Sequence, residues 1–321
     1  MRCIKCHGKA NVEIKRHHSA FCSTHYIDFF RHQVSRNIKR LRMFGHTDKI
    51  LIAVSGGKDS LALWDVLLEN GYQAVGLHIR LGIGEYSKRS AERTYEFADK
   101  WNAELLESDV EQEFGLTIPA LSKTLRRAPC SGCGLNKRYL FNRIALTNNF
   151  DVLATGHNLD DEAATLLGNV LHWEQDALRR QSPLLESTHT SLVKKVKPLY
   201  TLTERESASY CLIRNINYVE EECPNATGAH SLTYKEALNK LEDMSPGTKQ
   251  QFFQGFLERM QPSLQSSDSV VLKGCQLCGQ TTTGEICSFC RMWNKARDLH
   301  NPQKDTTVNR RSPTNRNVAK S

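Results

Sequence analysis

Eleven cysteines set the chemistry this chain can do. Cys275-x2-Cys278-x8-Cys287-x2-Cys290 pairs two CxxC hooks across a short loop, the spacing of a four-coordinate structural zinc site, and a glycine follows Cys278 where the chain turns round the ion. Cys3-x2-Cys6-x15-Cys22-x2-His25 offers a second complete set. His7, His17 and His18 compete for its last place, and the x2 spacing favours His25. With four ligands each, both sets read as closed, structural zinc fingers. Cys130-x2-Cys133 differs. A lone CxxC suits half a zinc site, a redox pair or part of an iron–sulfur site, and the terminal sets leave no partners for the first of these. Cys223 is the third thiol. Three thiolates bind a [4Fe–4S] cluster and leave one iron open to substrate or sulfide; a relay with a persulfide on one cysteine fits the same residues. Cys211, in ASYCLIRNI, lies on an apolar helical pattern and reads as a small core residue.

The second reactive stretch is Ser55-Gly56-Gly57-Lys58-Asp59-Ser60. It stands between an apolar run, Ile50 to Val54, and a helical pattern over about 59–70 that Gly71 ends. In an open α/β sheet, ligands bind beyond the carboxyl ends of strands. Two glycines let the backbone approach a ligand, and the helix N-terminus offers unpaired N–H groups and the positive end of a dipole. Ser55, Ser60 and Lys58 add hydroxyls and a cation, so the loop suits a phosphate or pyrophosphate. It is neither a GxGxxG nor a Walker loop.

Gly156 and His157 of ATGHNLDDEA emerge at the end of a later strand, 151–155. Asp160 and Asp161 fall in the next helix's first turn, where they cap the helix or face Mg²⁺ on ATP phosphates. LHIR, 77–80, ends the second strand, where adenine or ribose would lie, which brings in Ile79. Lys137 and Arg143 follow Cys133 on one helical pattern; they reach ATP or RNA phosphates or stand as solvated surface.

These groups need a scaffold. From about residue 48, apolar runs of strand length alternate with helical patterns, the order of a doubly wound, mostly parallel α/β sheet with helices on both faces. Its core segment is 28–225, led by a basic helix over 28–46. Residues 1–27 and 269–294 are the two small zinc fingers. Residues 226–268 hold a helical segment, 231–260, and the polar spacer QPSLQSSDS. The basic stretch 295–321 has no apolar period and reads as a disordered tail. With 321 residues, 39% hydrophobic and 24% charged, the chain is of ordinary globular composition. No apolar stretch reaches the roughly 20 residues a membrane helix needs, and MRCIKCHGKA holds no signal core, so a cytoplasmic protein is expected. Residues 1–50 hold 11 Lys/Arg against 3 Asp/Glu, and 291–321 hold 8 against 2. Two basic ends on an acidic middle suit a polyanion such as RNA.

From Cys3 to about Trp293 the chain carries CIKC…CSTH, ILIAVSGGKDS, PCSGCGLNKRY, ATGHNLDDEA, VKKVKPLY, EECPNATGA, PGTK and CQLCG…CSFC. This combination resembles the tRNA 2-thiolation enzymes of the PP-loop ATP pyrophosphatase superfamily. In detail it is most similar to the tRNA 5-methyluridine-54 2-sulfurtransferases, with the wobble-uridine thiolases as near relatives. The resemblance implies a Rossmann-like fold, ATP with Mg²⁺, a [4Fe–4S] cluster on Cys130, Cys133 and Cys223, and zinc on each terminal set. It further implies tRNA as substrate, a homodimer, and a ubiquitin-like sulfur carrier with a C-terminal thiocarboxylate. Residues matching Lys137 and Asp161 are catalytic in the family, and Asp59 joins them here. The ATP contacts expected are Ala53, Val54, Ser55, Gly56, Gly57, Lys58, Asp59, Ser60, Ile79, Lys137, Gly156 and Asp161. GIGEYSKRS departs from the usual loop after the second strand. The competing readings are thiolation of wobble uridine 34, another PP-loop reaction without sulfur, and a non-catalytic zinc-finger RNA-binding protein.

Overall fold

The computed structural model describes residues 1–226, 230–264 and 272–300. Its elements in chain order begin with β1 (Val12–Ile14), β2 (Ser19–Phe21), α1 (Ser23–Arg40), β3 (Lys49–Ala53), α2 (Lys58–Glu69) and β4 (Gln73–Arg80). Next come α3 (Gly84–Trp101), β5 (Leu105–Asp109), α4 (Val110–Phe114), α5 (Ile118–Leu125), α6 (Pro129–Thr147), β6 (Val152–Thr155), α7 (Leu159–Leu171) and α8 (Gln175–Arg180). The last are β7 (Leu184–Leu185), β8 (Lys194–Val196), α9 (Glu204–Arg214), α10 (His230–Met244), α11 (Thr248–Gly255), β9 (Lys273–Gly274), β10 (Thr281–Thr282) and α12 (Ser288–His300).

The central sheet runs β5-β4-β3-β6-β8-β7; every pairing is parallel except that of edge strand β7. Period-two alternation divides β3 between two cores. Ile50 and Ile52 pack on one face with Phe30, Trp64 and Tyr210; Leu51 packs on the other with Leu77, Leu140 and Trp293. The chain leaves β3 for β4 and β5 on one side and returns to β6 on the other. The carboxyl ends of β3 and β6 therefore flank the crevice at which such sheets bind ligands.

Three boundaries differ from the sequence reading. α1 begins at Ser23, inside the first cysteine set, and ends at Arg40, so the basic helix is no linker over 28–46 but grows out of the knuckle. Its apolar spacing, Tyr26, Phe30, Val34 and Ile38, packs onto α9, with the Phe30 and Tyr210 rings stacked at 4.3 Å. The segment 231–260 is broken by Pro246-Gly247, because Gly247 takes φ 100° before α11. α12 runs to His300 and buries Met292, Trp293 and Ala296, so the expected tail does not start at 295. Its remaining residues, 301–321, and residues 265–271, which include the end of the spacer, lie outside the described residues. Cys211 is fully buried in the core, as its pattern predicts. Among the described residues no helix is long and apolar enough to cross a membrane.

Candidate active site

Gly56 takes φ 72°, and a Cβ there would meet the Ser90 carbonyl oxygen at 2.3 Å, so only glycine fits this turn. Ser60 Oγ ties the loop, accepting from the Ser55 N–H at 3.1 Å and donating to the Gly57 carbonyl at 3.0 Å; Ser90 Oγ donates to the Ser55 carbonyl. Gly57 precedes α2 and no side chain caps that helix, which leaves its N-terminal N–H groups open for an anion. Across the crevice, Gly156 brings the end of β6 so near α2 that a Cβ would lie 2.8 Å from the Ser60 nitrogen.

Between these ends lies a cavity of about 340 Å³. Of the expected ATP contacts, Ala53, Val54, Ser55, Asp59, Ser60, Ile79, Lys137, Gly156 and Asp161 line it, whereas Gly56, Gly57 and Lys58 lie outside its walls. Lys58 Nζ instead pairs with Asp59 at 3.1 Å. Burial raises the Asp59 carboxyl pKa against the pull of Lys58 and of the nearby Ser207 and Asn158 side chains, none of which reaches good hydrogen-bond geometry with its buried Oδ1. An uncommitted carboxylate oxygen suits a hard cation such as Mg²⁺. Asp161 is more engaged. Asn158 caps α7, and Asp161 closes the capping box by accepting from the Asn158 N–H at 3.2 Å. Its Oδ1 lies 2.6 Å from Lys235 Nζ. Burial pushes the Asp161 carboxyl up, but Lys235 and His157 outweigh it and hold the pKa low. Asp160, weighed as a cap or Mg²⁺ ligand, is neither: it is buried, accepts from the Glu204 N–H and pairs with the buried Lys249. Arg143 also leaves the phosphate reading, because it pairs with Glu113 and lies over the rings of Phe114 and Tyr139.

All three cysteine groups use the start of a helix, where the dipole's positive end favours thiolates. Cys22 and His25 straddle the start of α1; Cys287 and Cys290 straddle that of α12. In the first knuckle Cys6 and Cys22 sulfurs lie 3.8 Å apart, and His25 Nδ1 stands 3.5 and 3.2 Å from those of Cys3 and Cys22. In the second, Cys278 and Cys287 sulfurs lie 3.7 Å apart. A tetrahedron with Zn–S bonds of about 2.3 Å has edges of roughly 3.8 Å, so both sets fit zinc. Among the described residues these are the two Cys/His groups drawn within 4.8 Å; Cys130, Cys133 and Cys223 are spread more widely. Such spacing does not suit one ion but leaves room for a larger thiolate-bound cluster. Cys130 and Cys133 occupy the first turn of α6, and Lys137 lies one turn on, facing the cavity. Burial raises the Cys133 thiol pKa, with Cys223 and Cys130 adding to the rise and Lys137 opposing it.

The sequence profile of the PP-loop domain matches residues 30–228. The tRNA-5-methyluridine(54) 2-sulfurtransferase of Thermus thermophilus is 52% identical over 294 residues, 92% of this chain and 91% of that protein. The chain belongs to the PP-loop sulfurtransferase family. A sulfurtransferase of the same name from Pyrococcus horikoshii is 40% identical over 303 residues, 94% of this chain and 96% of that one. Among solved structures, the U34-tRNA thiolase NcsA from Methanococcus maripaludis, with its [4Fe-4S] cluster, shares the fold. Its TM-score is 0.79 over 92% of this chain and 96% of that one, at 23% identity.

In this sulfurtransferase the sequence reading missed His78, Tyr86 and Phe141, which also line the cavity. His78 is buried; Val54's carbonyl can only accept, so Nδ1 donates to it at 3.0 Å and Nε2 is left as an unpartnered acceptor. The position of His78 next to Ile79 in LHIR was the available signal. Lys235, which meets Asp161 from α10, carried no signal in the sequence.

Proposed function

We propose that this sulfurtransferase replaces the 2-oxygen of 5-methyluridine at position 54 of tRNA with sulfur, driven by cleavage of ATP between its α and β phosphates. The observation that carries the reading is a juxtaposition: Lys137 faces the nucleotide cavity from the same helix whose first turn bears Cys130 and Cys133. Uracil C2 is a poor electrophile because its oxygen leaves badly. Attack of that oxygen on the α-phosphorus breaks the α–β bond and releases pyrophosphate. A sulfur nucleophile then adds at C2, and the C2–O bond breaks with loss of AMP. The open α2 N-terminus is placed for the departing pyrophosphate as charge develops on it, with Lys58 behind. Asp59, with an oxygen that makes no hydrogen bond, would be the better Mg²⁺ contact, and Lys137, which lines the cavity, would meet the α-phosphate. The thiols of Cys130, Cys133 and Cys223 would hold a [4Fe–4S] cluster, which supplies one iron without a protein ligand. The two terminal knuckles would hold structural zinc.

Position 54 is favoured over the wobble uridine because sulfurtransferases named for position 54 stand at 52% and 40% identity, against 23% for the wobble thiolase structure. A ubiquitin-like thiocarboxylate carrier, a homodimer and a cytoplasmic site of action complete the proposal. The test is stoichiometry: AMP and pyrophosphate should appear in equal amounts with 5-methyl-2-thiouridine, identified by nucleoside mass spectrometry of the treated tRNA. An ATP analogue uncleavable at the α–β bridge should stop the reaction, and one blocked at β–γ should support it. Release of ADP and phosphate would overturn the mechanism.

A further inference from the structure

Both carboxylates of the Asp160-Asp161 pair are held by lysines from one remote helical segment. Lys249 of α11 pairs with Asp160, and Lys235 of α10 pairs with Asp161. The two pairs differ in setting. Lys249 and Asp160 are both buried, and neither lines the nucleotide cavity. Asp161 lines that cavity, and Lys235, which does not, pairs with both Asp161 and Glu204. The backbone N–H of Glu204 in turn donates to Asp160 at 2.9 Å, so one chain of contacts runs Asp161–Lys235–Glu204–Asp160–Lys249. α10 is fixed on α7 by packing: Leu238 is buried with Ala163 and Ala164, and Tyr234 lies over Gly168, where a Cβ would come within 2.9 Å of the ring. On that clamped helix the Lys235 ammonium is held between Asp161 and Glu204, so it adds to the Asn158 cap in fixing the Asp161 carboxylate.

We infer that Lys235 is a positioning residue for the thiolation reaction: its ion pair with Asp161 fixes that carboxylate at the nucleotide cavity, whereas Lys249 holds the fold alone. The inference rests on the proposed function, and it assigns the helical segment 230–255 a part in catalysis outside the PP-loop motifs. A displacement of about 1 Å in a reacting constellation costs on the order of 100-fold in rate. Lys235→Met should therefore lower kcat roughly 100-fold, with the KM for ATP and the melting temperature little changed. Lys235→Arg keeps the charge and should recover most of the loss. In an Asp161→Ala background, adding Lys235→Met should change turnover by no more than about twofold, because Lys235 acts only through Asp161. Lys249→Met should instead lower the melting temperature by about ten degrees, as one side of a buried pair is lost, and should leave kcat per folded molecule near normal. A wild-type kcat in Lys235→Met, an inactive Lys235→Arg, or a full further loss in the Asp161→Ala background would each overturn the inference. Wild-type protein assayed in parallel separates the two claims: wild type that makes no thiouridine strikes the proposed function, and an active wild type beside a normal Lys235→Met strikes this inference alone.

Discussion

The terminal knuckles and the central thiols are made of the same residue at the same kind of place, the start of a helix, yet they are built oppositely. In the knuckles four ligands converge, with sulfur separations of 3.7–3.8 Å. Backbone N–H groups donate to the sulfurs: that of Cys287 to Cys275 at 3.3 Å, and that of Cys290 to Cys287 at 3.4 Å. At Cys275 such donors outweigh burial and lower the thiol pKa to about 6, whereas burial leaves the thiols of Cys287 and Cys290 raised. The knuckles are also tied to the body: Trp293 is buried, donates to Asn136 at 3.0 Å and so braces α6 beside Lys137. In the centre, three thiols stand apart, with Cys130 exposed and only Asn225's carbonyl accepting from it at 3.2 Å. On the proposed function, closed ligation would serve the fold, and open ligation, on the helix that carries Lys137 to the cavity, would serve chemistry.

The sharpest way to break that comparison is to remove one thiol from the open set. Cys223→Ala should abolish thiolation outright and remove the visible absorbance of anaerobically purified protein. Zinc content should stay the same and the melting temperature should move by a few degrees at most, since Cys223 is only partly buried at the edge of the core. Full anaerobic activity in this variant would end the distinction between the sets.

Next in size are the groups that join the thiols to the nucleotide. Lys137→Ala and Asp161→Ala should each keep the absorbance and the fold and lose at least about 100-fold in turnover, read as AMP release per tRNA. Normal turnover in either variant would remove that residue from the reaction while leaving the PP-loop assignment standing.

The closed set should respond in the other currency, stability. Cys275→Ala opens a metal site whose helix carries Trp293 into the core, and should cost roughly 4–5 kcal/mol, seen as an early unfolding transition with loss of one zinc. Activity should fall only with the folded fraction. A variant that stays fully folded but inactive would give the C-terminal knuckle a catalytic part.

What the sequence made legible was local. SGGKDS, the CxxC spacings and the strand–helix order each fit in a window shorter than about 25 residues, and the physics that fixes them acts in that window. The start of α6 at Pro129 was also within reach, because proline suits a helix's first turn, and it places Cys130 and Cys133 on the helix itself. The capping box of Asn158 with Asp161 was readable as Asn-x-x-Asp. Other features depended on tertiary contact. Arg143 looked like a phosphate ligand until Glu113, 30 residues earlier, took its charge. Lys235 and Lys249 meet Asp161 and Asp160 only once α10 and α11 fold back onto α7, and no period or spacing in the sequence encodes that return.

The smallest effect concerns what the closed knuckles are joined to. α1 runs directly out of the first knuckle and presents Arg36 and Lys39 to solvent. Arg40, beside them, already pairs with Glu258 at 3.1 Å, both side chains about half exposed, so its charge is partly answered within the protein. If the knuckle's helix grips tRNA phosphates, each lost contact lowers the slope of log affinity against log salt by about 0.7–0.9. Arg36→Ala with Lys39→Ala should then reduce the slope by up to twice that amount, and adding Arg40→Ala should reduce it by less than one further contact. The same pair of changes on α12, at the exposed Arg291 and Lys295, measures whether the second knuckle shares the load. A slope unmoved on α1 but lowered on α12 would place the RNA on the C-terminal side, next to the helix that carries Cys130 and Cys133. Slopes unmoved on both would leave the knuckles as clamps for the protein alone.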